Sequence, residues 1–261
     1  MSAIDGLEWT FNTVAAEYDK WREAYVPELY EDIFSYKQVD TASNVLEIGI
    51  GTGQATMPVL ETGCTLTAVE PGAELAEVCR KKFSEYPRFS IVTMPFEKYE
   101  GATESFDLIF SASAFHWVPE EIGYRKVFDL LNQGGVFARF ANHPFYNKKG
   151  QEALFIDIQK VYSEYLPYSR PSSEYTDENA ANRSNTAAKY GFLDISHKIY
   201  HRTLAYTSAE YIQRLSIQSD KIALEENKKP GFYNGIKAAI DGHGGIIYIF
   251  DTIELNLARK P

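Results

Sequence analysis

The apolar positions change period along the chain. Residues 10–36 repeat at helical spacing, rich in Trp and Tyr and interrupted at Pro27, and predict one or two amphipathic helices. From residue 44 short apolar runs take over, at 44–48, 66–70, 89–93, 106–111 and 135–140, each the length of a buried strand. Helical patterns at 54–61, 73–86 and 121–131 separate them. Such alternation predicts an α/β chain with a parallel sheet and right-handed crossovers. After Ala141 the alternation stops. Residues 142–190 are polar, tyrosine-rich and broken by Pro144, Pro167 and Pro171, with one good helical pattern at 152–165. A period-two stretch at 195–206, helical patterns at 208–216 and 230–239 and a strand-like run at 246–257 complete the chain. The last two strand patterns predict an antiparallel finish to the sheet. Residues 142–190 are then expected as a cap over the carboxyl ends of the strands, where open α/β sheets bind ligands. Residues 1–37 are expected as a helical lid on the single domain 1–261.

Composition narrows the partners. With 26 Lys and Arg against 36 Asp and Glu, the formal charge is −10. A surface of that sign repels phosphate backbones and anionic membranes, which argues against nucleic-acid and membrane partners. Cys64 and Cys79 show neither CxxC nor metal-ligand spacing, and read as reduced structural thiols with no metal site. MSAIDGLEWTF has no basic and apolar leader pattern, and no apolar run has membrane-spanning length, so a cytoplasmic protein is expected, a monomer by default. Asn182-Arg183-Ser184 fits a glycosylation sequon but reads as part of a polar loop.

The chemistry concentrates in VLEIGIGTGQAT, residues 45–56. Gly49, Gly51 and Gly53 stand where the first strand turns toward the first helix, where glycine permits positive φ and close approach of a ligand. A tight turn with no ligand is the alternative. A dinucleotide fingerprint would read GxGxxG, but Gln54 occupies the third position. Glu47 lies two residues before the first glycine, unwelcome to a pyrophosphate and welcome to an ammonium group. Glu70 ends the second strand, about 20 residues on, where an acid can accept both ribose hydroxyls. Two acids without a phosphate-binding glycine describe a nucleoside with a cationic tail.

VLEIGIGTG followed by VEPGAELA resembles the class I S-adenosylmethionine-dependent methyltransferases, and FDLIFSASAFHWV is similar to their fourth-strand motif. The AFHWV ending, with YDKWREAYVPEL near the start and GGIIYIFDTIELNLARK at the end, is similar to the small-molecule group around trans-aconitate methyltransferase. The resemblance implies a Rossmann-like, seven-stranded, mostly parallel sheet with one antiparallel C-terminal strand and helices on both faces. It implies S-adenosylmethionine as cofactor and a small-molecule methyl acceptor. Glu47 is implied near the cofactor's ammonium, Gly49, Gly51 and Gly53 near the methionine tail and ribose, and Glu70 on the ribose. Pro71 is implied beside the adenine, with Met94, Pro95, Phe96 and Glu97 where the family usually places an acid. Thr93 and Met94 replace the usual Gly-Asp, which leaves a backbone carbonyl or Glu97 for the adenine amino group. Ser111 and Ala112 are implied beside the methionine moiety, and Tyr18 closes over the cofactor.

A general base is needed only if the acceptor carries a proton at neutral pH. His116 is the candidate, either as base, as donor to a carboxylate, or as a residue that merely holds its loop. Trp117 is a pocket wall or a core anchor. Arg139, with Asn142, and His143 are candidates for an anionic acceptor, since a guanidinium fork matches a carboxylate. His243 is expected to face the cleft, His197 and His201 the outside of the sheet. Tyr162, Tyr165, Tyr168 and Tyr175 suit either a lid or ordinary packing. The leading expectation is methyl transfer to a small organic acid. A non-catalytic S-adenosylmethionine-binding module and an NAD(P)-dependent oxidoreductase are the alternatives.

Overall fold

The computed structural model describes residues 7–169 and 171–261; the first six residues of the expected lid and Arg170 lie outside the described residues. A 3₁₀ helix, Leu7–Val14, runs into α1 (Ala15–Trp21), and α2 (Pro27–Tyr36) follows. Pro27 starts α2, where its missing N–H would have had no helical partner. Then come β1 (Asn44–Ile48), α3 (Met57–Leu60), β2 (Thr65–Glu70), α4 (Ala73–Lys82), β3 (Phe89–Thr93), β4 (Phe106–Ala112), α5 (Glu120–Leu130) and β5 (Leu131–Phe145). The second half adds α6 (Glu152–Tyr165), α7 (Asp177–Ser184), β6 (Leu193–Thr207), α8 (Ser208–Ser216), α9 (Ser219–Ile222), α10 (Lys229–Gly242) and β7 (Ile246–Arg259).

The seven strands form one sheet in the order β3-β2-β1-β4-β5-β7-β6. β1 to β5 pair in parallel, and β7 runs antiparallel to both β5 and β6. The chain winds outward from β1 to β3, then returns to place β4 on the other side of β1. Loops leaving β1 and β4 therefore diverge and leave a crevice at the carboxyl ends, the usual ligand site of such sheets.

Each face of the sheet carries its own core. On one side Leu29, Ile33, Val59 and Phe83 cover Val45, Leu66, Leu108 and Phe140. On the other Phe115, Tyr124 and Val127 cover Leu46, Ile48, Ile109 and Phe137. A third cluster, with Leu154, Ile158, Tyr211, Phe232 and Ile236, packs on Ile247 and Ile249 near the start of β7.

Three expectations change. The helical pattern at 54–61 yields only the four residues of α3, because Gly49, Gly51 and Gly53 all hold positive φ and the chain keeps turning to residue 56. β5 continues beyond residue 140 to Phe145, since β7 offers partners as far as Phe250. Residues 142–190 are not one cap: α6 joins α8 and α10 in the third cluster. Among the described residues no helix is long and apolar enough to cross a membrane.

Candidate active site

A cleft of about 1510 Å³ opens at the carboxyl ends of β1, β2, β4 and β5. That volume exceeds the roughly 300–1,000 Å³ typical of a single small-molecule pocket, so it has room for two reactants side by side. One end is built on the glycine loop. Glu70, 5% exposed, accepts the Gly51 N–H at Oε2 (2.9 Å) and the Gly72 N–H at Oε1 (2.9 Å). These bonds fix the carboxylate at the crevice mouth, while burial pushes its pKa up to about 7. Pro71, Pro95, Phe96, Glu97 and Ala112 line the same end.

The three glycines divide the work. A Cβ on Gly49 would stand 2.4 Å from Ala114 Cβ, and one on Gly53 would stand 2.5 Å from the Phe83 ring. On Gly51 the nearest atom would be Tyr18 Cε1 at 3.7 Å, with the cleft beyond. Gly49 and Gly53 thus serve packing, and Gly51 leaves open backbone facing the site.

Four of the implied contacts do not form the cleft wall: Glu47, Gly53, Met94 and Ser111. Side chains alternate along a strand, and Glu47 turns under the loop, where Thr56 Oγ1 donates to its Oε2 (2.8 Å). At 1% exposure, with Oε1 unpaired, its carboxyl is pushed up by burial to about 8. Ser111 Oγ donates to the Ile48 carbonyl (2.8 Å) and ties β4 to β1. Met94 packs into the core beside Phe96.

The lid crosses this end. Phe11 meets the Tyr18 ring edge-on at 5.4 Å and the Trp117 ring at 6.3 Å, spanning the cleft from α1 to the loop after β4. The linker between α1 and α2 is pinned at three points. Glu23 pairs with Arg214 (2.6 Å) and Tyr206, Arg202 donates to the Ala24 carbonyl, and Tyr25 Oη bonds Ser113 Oγ (2.7 Å). Ser113 holds φ at +54°, a conformation that costs a non-glycine residue about 1–3 kcal/mol and is concentrated at functional sites.

The far end is cationic. His116, Arg139, His143 and Arg183 line it, while Arg22 enters the cleft from the linker between α1 and α2. Arg139 Nη1 donates to Tyr124 Oη (3.3 Å), and its guanidinium lies 5.4 Å from the Phe115 ring centroid. His116 stays open to solvent inside the cleft beside Trp117. The surrounding walls, then Arg139, Arg183, Arg22 and His143, push its pKa down to about 4, so it is neutral at physiological pH. His143 and Arg183 both reach the buried carboxylate of Glu254, at 3.2 and 3.0 Å.

Several candidates separate from this group. His243 does not face the cleft; it pairs with Asp157 of α6 (2.8 Å). His197 pairs with Asp177 and His201 with Thr252. Of the tyrosines, Tyr175 lines the cleft, whereas Tyr162 and Tyr165 pack on Phe232. Sequence reasoning missed Arg22, Arg183, Ser113, Glu254 and residues 217–220. A signal existed for Glu254, a carboxylate set between Ile253 and Leu255 in a strand-like run; nothing local marked the others.

The order β3-β2-β1-β4-β5-β7-β6, with a glycine loop after β1 and an acid ending β2, defines the class I S-adenosylmethionine-dependent methyltransferases. The methyltransferase-domain family model matches residues 45–135. An uncharacterised methyltransferase of Bacillus cereus is 33% identical over 177 residues, 61% of this chain and 81% of that protein. The chain belongs to this methyltransferase family, and its cofactor is S-adenosylmethionine. Solved structures agree in fold. A putative methyltransferase from Bacillus halodurans superposes with a TM-score of 0.57 at 15% identity, over 90% of this chain and all (100%) of that one. A putative type II methyltransferase from Anaeromyxobacter dehalogenans gives 0.64 at 16%, over 91% and 97% of the two chains. Haemonchus contortus phosphoethanolamine N-methyltransferase 2, solved with S-adenosylhomocysteine, gives 0.56 at 16%; it is longer, and the match covers 96% of this chain but 57% of that one.

The residues present fit the cofactor. Open backbone at Gly51, a carboxylate preset for a diol at Glu70 and an apolar slot at Pro95 and Phe96 suit a nucleoside.

Proposed function

We propose that this methyltransferase methylates a carboxylate oxygen of a small organic acid, the kind of acceptor that the resemblance to the trans-aconitate methyltransferase group implies. One observation carries the reading: a chain of formal charge −10 gathers two guanidinium groups, Arg139 and Arg183, at one end of its cleft, beside the imidazoles of His143 and His116. Arg139 has a carboxylate-shaped fork to offer, and its side-chain hydrogen bond goes to the Tyr124 hydroxyl, not to a carboxylate.

S-adenosylmethionine supplies an electrophilic methyl group on a sulfonium centre; the chain's own residues do the rest. An organic acid is already ionised at neutral pH, so no general base is required. His116, neutral, donates a hydrogen bond that orients the acceptor. Alignment of two held reactants can supply about 7–11 kcal/mol of the barrier. Phe11, Tyr18 and Trp117 exclude water across the cleft, which strengthens the pull of Arg139 on the acceptor. Residues 7–37, the described part of the expected lid, act as the lid, and residues 173–186, including α7, cap the acceptor end. Glu70 holds the ribose, and Arg22, from the linker, holds the methionine carboxylate. Replacing Arg22 with alanine should therefore raise the Kd for S-adenosylhomocysteine about tenfold in a calorimetric titration, and an unchanged Kd assigns Arg22 elsewhere.

The acceptor itself is tested by incubating the protein with methyl-labelled cofactor and a panel of mono-, di- and tricarboxylic acids, amines and phenols. The expected product is a methyl ester whose label is released as methanol by base. Arg139→Ala should raise the acceptor KM more than tenfold with a smaller change in kcat. Base-stable label in an amine or a phenol would overturn the reading.

A further inference from the structure

Glu254 is fully buried, in the middle of β7, between Ala141 of β5 and Ile199 of β6. Its neighbours along the strand, Ile253 and Leu255, are core residues. A carboxylate in such a place is costly unless it is paired and hydrogen-bonded, and an apolar side chain would serve the sheet better. Here every partner belongs to the cleft. His143 Nε2, at the end of β5, lies 3.2 Å from Oε1, at ion-pair distance but outside hydrogen-bond geometry. Arg183 Nη1, in α7, lies 3.0 Å from the same oxygen. The Tyr175 hydroxyl, from the segment before α7, donates to Oε2. Although burial favours the neutral acid, these partners outweigh it and keep the carboxyl ionised.

The partners also hold one another. The Tyr175 ring stacks on the His143 imidazole at 3.6 Å between centroids and 7° between planes, and the Arg183 guanidinium sits 5.7 Å from the Tyr175 ring centroid. All three side chains line the cleft, and Glu254 stands behind them. A guanidinium carries five N–H donors, so the contact at Nη1 leaves others for a ligand.

We infer that Glu254 is a positioning residue for the methyl acceptor: it fixes Arg183, His143 and Tyr175 as one unit and so sets the acceptor end of the cleft. This rests on the carboxylate reading of the acceptor. Glu254 touches neither reactant and acts through Arg183. An isolated Arg183 on α7 would wander with its segment; tied to the sheet, it meets an acceptor anion already oriented.

The test is a double-mutant cycle read by calorimetry on the protein saturated with S-adenosylhomocysteine, with succinate and citrate as probes. Glu254→Gln and Arg183→Ala should each weaken probe binding more than tenfold, while S-adenosylhomocysteine affinity stays within about twofold of wild type. The double variant should be no more than about twofold weaker than either single one, because both remove one arrangement. The unchanged S-adenosylhomocysteine affinity shows that the variants fold. Equal probe binding by wild type and Glu254→Gln, or independent losses that multiply in the double variant, would overturn the positioning role and leave the carboxylate reading standing. If neither probe binds wild type, both fall.

Discussion

Replacing Glu70 with alanine is expected to weaken S-adenosylhomocysteine binding more than tenfold, about 1.4 kcal/mol or more. The carboxylate is set by the Gly51 and Gly72 amides, both at 2.9 Å, and it lines the cleft, where it is expected to accept two ribose hydroxyls. Alanine removes that acceptor and also frees the amide that shapes the glycine loop. The same residue makes binding depend on pH. Burial raises its carboxyl from 4.5 to about 7, against the pull of the Gly72 and Gly51 hydrogen bonds. A raised carboxyl stabilises the empty protein while protonated, below about pH 4.5, and that contribution fades as the pH rises through 7. A diol donates to the ionised form, so the bound ligand prefers the state that the empty protein reaches only above 7. The ionised fraction grows roughly tenfold between pH 6 and pH 8, and wild-type affinity should follow it. Glu47, pushed up to about 8, sits behind the loop on Thr56 and off the cleft wall. Titrations at the two pH values should show the tenfold gain in wild type and a flat response in Glu70→Ala. A flat wild type would remove Glu70 from the ribose.

The first 140 residues were legible because β1, β2 and β4 are buried on both sides and the helices between strands on one, so the apolar pattern carries the topology even though β3 lies at the exposed edge. The second half follows other rules. β5 passes through Asn142, His143 and Pro144, a polar stretch that reads as a loop, and persists because β7 supplies hydrogen bonds alongside. α7, with the sequence DENAANRS, has no apolar face to announce it; its start is marked only by Thr176 and Asn179, which cap each other's backbone. The site divides in the same way. Apart from Tyr18 and Arg22, its cofactor end lies within one contiguous stretch, where glycine spacing and a following acid have a direct chemical meaning. Its acceptor end is assembled from residues 116, 139, 143, 183 and 254, and no spacing along the chain encodes their convergence.

The glycine loop itself should separate folding from binding. Gly49→Ala is expected to destabilise the protein by about 3 kcal/mol. The new methyl would stand 2.4 Å from Ala114 Cβ, a short side chain with no rotamer to yield, and the backbone there holds φ at +70°. Overpacking of this kind costs about 1–3 kcal/mol and the left-handed conformation about 1–2 more. Gly53→Ala should lose a similar amount, since its Cβ would sit 2.5 Å from the ring of Phe83, which is 1% exposed. For a chain of this size 3 kcal/mol lowers the melting temperature by roughly 6–12 °C. Gly51→Ala differs. Its Cβ finds nothing nearer than 3.7 Å, so only the strain of φ at +60° remains, about 1–2 kcal/mol. Its methyl group would point into the space kept open for the cofactor. Melting curves with and without S-adenosylhomocysteine check the contrast. Gly49→Ala and Gly53→Ala should melt early yet still gain stability from the ligand, whereas Gly51→Ala should melt within a few degrees of wild type and gain almost none. If Gly51→Ala kept the full ligand-induced shift, the cofactor would not approach the backbone there, and the glycine would be a turn residue alone.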